Sequence, residues 1–216
     1  MKSYTLLFLL VLATCLAAPV SAQIVYENGP INGNTDAWTI NFGFIVADSF
    51  TISGGTTTVS GISFGAWLTP GDTLESVEVS LTSEPFGGTT FFDGQVSLTQ
   101  SGCILNQYGY NICTETGSFM GTVLNNGMYW LNLQNGMDSN GNPAYWDENS
   151  GIGCHSPGCP SEATESFESI PSEAFTVLGT SSTSTSTTTS VPEPSSLLLF
   201  TSGVLGLAGL ARRKLF

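Results

Sequence analysis

Between residues 38 and 177 the chain alternates apolar and polar positions in short runs. Trp38, Ile40, Phe42, Phe44 and Val46 alternate with Thr39, Asn41 and Gly43, and Phe50 and Ile52 with Ser49 and Thr51. Ile62, Phe64, Ala66 and Leu68 share one parity, and Val77, Val79 and Leu81 stand against Ser76, Glu78, Ser80 and Thr82. Val96 and Leu98, then Tyr129, Leu131 and Leu133, then Phe175 and Val177 continue the pattern. A period of two over short stretches predicts strands with one buried and one wet face. Turn signals separate the runs at Ser53-Gly54-Gly55, Pro70-Gly71-Asp72, Gly87-Gly88, Asn125-Asn126-Gly127 and Asn140-Gly141-Asn142. No segment before residue 191 carries a convincing helical period. The expectation is an all-β domain of about eight or nine strands, an antiparallel β-sandwich of jelly-roll type, with an immunoglobulin-like sandwich as the alternative.

The two ends are different. Met1–Ala22 has a basic Lys2, an apolar stretch over 4–13 and a small-residue cleavage site at Val20-Ser21-Ala22, the pattern of a secretory signal peptide. A lipoprotein signal ending at Cys15 is the alternative, with Thr14 a poor fit before that cysteine. At the other end, Ser195 to Ala211 is uncharged and rich in Leu and Gly, and Arg212, Arg213 and Lys214 follow it directly. As a helix this span is about 25 Å long, near the lower limit for a transmembrane helix. The basic cluster is then its cytoplasmic stop, with the rest of the chain on the far side. Ahead of it stand Val191-Pro192-Glu193-Pro194 and a Ser/Thr-rich linker over 180–190, a stretch with nothing to bury and hydroxyls available for O-glycosylation.

The order Val191-Pro192-Glu193-Pro194, apolar span, Arg-rich end resembles the PEP-CTERM sorting tail of Gram-negative bacteria. The resemblance covers 191–216 only. It implies export through the inner membrane, a membrane-anchored precursor and recognition by an exosortase-type membrane protease. Cleavage near Pro-Glu-Pro and delivery to the cell surface or an exopolysaccharide matrix would follow. The same tail is also catalogued as an ice-binding protein C-terminal domain, which by itself is no evidence of ice binding. The organisation read from the chain is 1–22 signal peptide, 23–179 ectodomain, 180–190 linker and 191–216 sorting tail with its helix over about 195–211.

Charge narrows the partners of the ectodomain. The chain has 17 acidic residues, 4 Lys and Arg and a net charge of -13, and all four cations lie in the signal or the tail. A domain with no Lys or Arg repels nucleic acid and anionic lipid head groups, and it attracts divalent cations. Cys103, Cys113, Cys154 and Cys159 remain after signal removal, an even number that predicts two disulfides in an exported chain. Three pairings are open; the local ones, 103 with 113 across a hairpin and 154 with 159, are preferred.

Candidate chemistry is sparse. Cys154 and His155 with Cys159 mix metal-ligand types, but zinc needs about four ligands and His155 is the single histidine. A Ser-His-acid triad would have to use that same residue, so the sequence offers no catalytic set and the ectodomain is expected not to be an enzyme. Asp138, Asn140 and Asn142, with Asp147 following, place oxygen ligands at calcium-loop spacing, although Pro143 stands where an EF-hand loop takes Gly. Calcium is the one cofactor candidate, and a weak one. Trp67 and Trp130 fall on the parity opposite to their apolar neighbours, so outward-facing rings could stack on sugars, with exopolysaccharide as the partner. Against that stands burial of both strand faces or coverage of the rings by loops. A secreted glycan-active hydrolase is the alternative class, but with so many acids some carboxylate pair is inevitable. Ice binding is poorly supported, because Thr56-Thr57-Thr58 and Thr187-Thr188-Thr189 would alternate faces in a strand.

Overall fold

The computed structural model describes residues 22–149, 161–166 and 169–182. Within them the chain forms β1 (Gln23–Glu27), β2 (Ala37–Thr39), β3 (Ile45–Ile52), β4 (Thr56–Leu68), β5 (Leu74–Glu84) and β6 (Gly87–Leu105). These are followed by β7 (Asn111–Leu124), β8 (Gly127–Asp138), β9 (Tyr145–Asp147), β10 (Glu162–Ala163) and β11 (Phe175–Ser182). Every pairing is antiparallel, and no helix occurs among the described residues.

The strand order is β1-β11-β4-β7-β6-β5-β8-β3-β10. Split at β6, this is a β1-β11-β4-β7 layer and a β3-β8-β5-β6 layer, the pairing order of a jelly roll rather than of an immunoglobulin-like sandwich. The long strand β6 belongs to both: residues 87–97 pair with β5, and residues 98–105 pair with β7. At that crossing Gly117 of β7 lies beneath Val96 and Leu98, where an added Cβ would come within 2.5 Å of Val96.

Alternation explains the core. Ile62, Phe64, Ala66 and Leu68 of β4 meet Val77, Val79 and Leu81 of β5 and Tyr129, Leu131 and Leu133 of β8 in one buried cluster with Phe175 and Val177. The Tyr26 ring of β1 lies 5.9 Å from Phe50 of β3, a contact from one layer to the other.

Two boundaries differ from expectation. The run from Trp38 to Val46 is not one strand: Phe44 N–H donates to Asn41 O, closing a turn in which Phe42 has φ 55° and is 64 % exposed. Gly43, with φ 89°, allows the chain to reverse there although the apolar parity continues through it. The domain also extends into the expected linker. Thr180, Ser181 and Ser182 continue β11 opposite Thr58, Thr57 and Thr56, because that length of β4 offers backbone partners and the Thr57 and Ser181 hydroxyls bond each other at 3.3 Å. The signal peptide, the rest of the linker, Val191 to Pro194, the span over 195–211 and the Arg212, Arg213, Lys214 cluster lie outside the described residues.

Candidate functional site

β9 is three residues long but joins several elements. Trp146 pairs with Trp38 of β2 and Ala66 of β4, and its buried ring packs edge-on against Phe64 and Phe175. Alternation then places Asp147 on the other face, beside Trp67. The Asp147 Oδ1 accepts the Trp67 Nε1–H at 2.6 Å and the Gly33 N–H at 3.0 Å, while Oδ2 accepts the Asn32 N–H at 2.9 Å. Burial raises the Asp147 pKa, and these three donors oppose the rise. One carboxylate thereby fixes the turn at 31–34 to the sheet. Gly33 has φ 62° and lies against the Ile112 side chain, so this turn accepts no larger residue there.

The facing element is the β6–β7 hairpin. Cys103 and Cys113 form the expected disulfide with Cα atoms 4.1 Å apart; Cys103 lies within a bulge in β6 between Ser101 and Ile104. Asn106 ties the tip together: its Oδ1 accepts the N–H groups of Tyr108 and Tyr110 at 3.0 Å, and its Nδ2 donates to Gly33 O at 3.1 Å. Between the 31–34 turn and the 102–107 arm lies a cleft of about 400 Å³, with Ile112 and Thr114 completing the lining. Its walls are Ile, Leu, Asn, Gln, Thr and Gly, with no titratable side chain.

The two tryptophans expected on the surface are covered. Trp67 is 6 % exposed, with Tyr108 stacked on it at 5.6 Å and Tyr110 tilted against it at 5.8 Å. Trp130 is 7 % exposed; two residues on, Asn132 Oδ1 accepts the Phe86 N–H from the turn after β5. The hairpin tyrosines cover the Trp67 ring, and Trp130 is buried as well. Tyr108, 55 % exposed, is the aromatic surface that the Trp67 position supports.

The expected calcium quartet does not assemble. Asp138 Oδ1 accepts the backbone N–H groups of Asn140 and Asn142, while both Asn side chains donate through Nδ2 to Asp72, at 2.6 and 2.7 Å. Those two amides, Asn142 first, hold the Asp72 pKa below its ordinary value. Asp147 lies apart, in the β9 site, and no group of three or more metal-ligating acids, His or Cys occurs among the described residues. The Cys154 and Cys159 pair and His155 lie outside the described residues.

Periodicity did not single out the buried acids. Asp48 shares the inward parity of Val46 and Phe50, and its carboxylate accepts from Asn28 Nδ2, the Ser172 hydroxyl and the N–H groups of Glu173 and Ser49. Burial still pushes it up to about 7. Glu173 is fully buried nearby, one of its oxygens has no partner, and burial together with the Asp48 charge raises it well above its ordinary value. Glu115 of β7 is also fully buried, neither oxygen has a partner, and burial pushes it up to about 7. Inward parity with Cys113 and Gly117 was the available signal. With no Lys or Arg among the described residues, amides, indoles, hydroxyls and backbone N–H groups do all the carboxylate bonding.

In comparison with known families, residues 190–214 fit the model of the PEP-CTERM protein-sorting motif. The chain thus carries the signal for exosortase sorting, which marks it for export and for processing from a membrane-anchored precursor to the cell surface. No curated protein and no solved structure matches the chain.

Proposed function

We propose that this is a cell-surface or exopolysaccharide-matrix protein, non-catalytic, whose exported β-sandwich acts by binding extracellular polymer. The match at 190–214 carries the reading, since it names the route out of the cell. Charge supports a partner outside the nucleic acids, because the mature domain has no Lys or Arg. The arrangement of acids favours binding over hydrolysis. The acids with raised pKa values are buried under neutral donors or in the core, and the lining of the cleft contains none.

Replacing Pro192, Glu193 and Pro194 by Ala in the native host tests this reading. The expected result is that the wild-type chain leaves the inner membrane without its tail, by intact mass, while the variant accumulates there as precursor. Equal release and equal mass of the two chains would refute sorting by this motif.

A further inference from the structure

The cleft between the 31–34 turn and the 102–107 arm has walls that the fold holds in place. Its walls are set before any ligand arrives: Asp147 fixes one, Asn106 and the Cys103–Cys113 disulfide fix the other. Preorganised walls reduce the ordering cost of binding. At about 400 Å³ the space falls in the range of small-ligand sites.

The lining is specific about charge. The side chains of Asn34, Gln107 and Thr114 line the cleft without a hydrogen-bond partner among the described residues, and none of them is charged. Ile31, Ile104 and Leu105 supply apolar surface between them. Tyr108 is not itself part of the lining; next to Gln107 in the chain, it rests on Trp67 with an interplanar angle of 19° and remains 55 % exposed. Neutral donors and acceptors beside an aromatic face suit a ligand that is hydroxyl-rich on its edges and apolar on its flat faces. An anionic polymer would find no counter-charge in a domain without Lys or Arg.

Strand β11 ends at Ser182, opposite Thr56, whereas the cleft lies by the other end of β4, where Leu68 pairs with Asn111. Thirteen strand residues separate those ends, about 40 Å at ~3.3 Å per residue. The cleft is thus at the end of β4 remote from Ser182.

We infer that this cleft binds an uncharged saccharide segment, with Asn34, Gln107 and Thr114 bonding sugar hydroxyls and Tyr108 stacking on a ring face. The inference rests on the surface-display reading above and specifies its ligand class. Affinity electrophoresis of the purified mature protein through gels containing mannan, β-glucan, galactan or alginate tests it. Retardation by at least one of the three neutral polymers and not by alginate is expected. Gln107→Ala combined with Thr114→Val should weaken that retardation at least tenfold, as should Tyr108→Ala. Met120→Ser, on a side chain 87 % exposed and outside the cleft lining, should leave it unchanged. Near-UV circular dichroism confirms that each variant is folded. Passage through all four gels unretarded would overturn the proposal, as would equal retardation by alginate. Retardation that both the Gln107/Thr114 and the Tyr108 variants retain would overturn it too, as would retention by carboxymethylated casein alone, which would mark a peptide site. Because this assay starts from mature protein and the sorting test reads membrane release, either can fail without the other.

Discussion

Replacing Glu115 by Gln isolates the effect of a core carboxyl that has no partner. The side chain is fully buried between Phe64 of β4 and Gln100 of β6 in the register, and neither oxygen is bonded. Burial moves its pKa from 4.5 to about 7. The folded state therefore holds this proton more tightly than the unfolded chain does, so its contribution is complete below pH 4.5 and is lost as pH rises through 7. At about 1.4 kcal/mol per factor of ten, the loss is about 3 kcal/mol. Glutamine has similar shape and a similar unmet polar group, but it does not ionise, so its cost is the same at every pH. Urea unfolding followed by tryptophan fluorescence, in steps from pH 4.5 to 8, should give a wild-type stability that falls relative to Glu115→Gln by about 3 kcal/mol across the range. Asp48 and Glu173, also raised by burial, slope both proteins in the same direction and cancel in the difference. Asp72 is lowered from 3.8, so its titration lies below the window. Two curves that run parallel from end to end would refute the reasoning.

Two further substitutions probe the walls of the cleft. Asp147→Ala leaves the Trp67 indole and the Asn32 and Gly33 N–H groups without their acceptor, which at about 1–3 kcal/mol each should lower unfolding free energy by at least about 3 kcal/mol in urea; a change below about 1 kcal/mol would contradict the role given to it. Cys103→Ala with Cys113→Ala opens a loop with a sequence separation of 10 and should cost about 2–3 kcal/mol, read as a lower guanidinium midpoint under non-reducing conditions.

Much of the fold was legible because strand parity and burial are the same fact seen twice. Ile62 to Leu68, Val77 to Leu81 and Tyr129 to Leu133 are core residues where alternation placed them, and turn residues lie between the strands. Parity is local, however, and does not show what folds over a strand. Trp67 faces outward from its sheet as its position implies, but the Tyr108 ring that covers it comes from a hairpin tip some forty residues later in the chain. The same limit hid the cleft, whose two walls are separated by about seventy residues and are joined by Asn106 and Gly33. Phe42 shows the reverse case: its parity continued an inward run, but Gly43 turns the chain and leaves it exposed. Asp48 and Glu115 were readable from parity alone, had an acidic side chain been allowed an inward position. Neutral hydrogen-bond donors make that position tolerable for Asp48, and a raised pKa does so for Glu115.

Strand β11 ends at Ser182 and is held on both sides, by β1 from Gln23 to Glu27 and by β4 from Thr56 to Phe64. A pull applied along β11 at Ser182 and resisted at the far end of β4 runs along the strand axes. β11 is then loaded in shear: its eight pairings with β4 share the load rather than opening one at a time, as the strands of a pulled hairpin would. Lengthening β11 into the Ser/Thr stretch adds three of those eight pairings, so residues that look like spacer in the sequence contribute to the mechanical strength of the attachment.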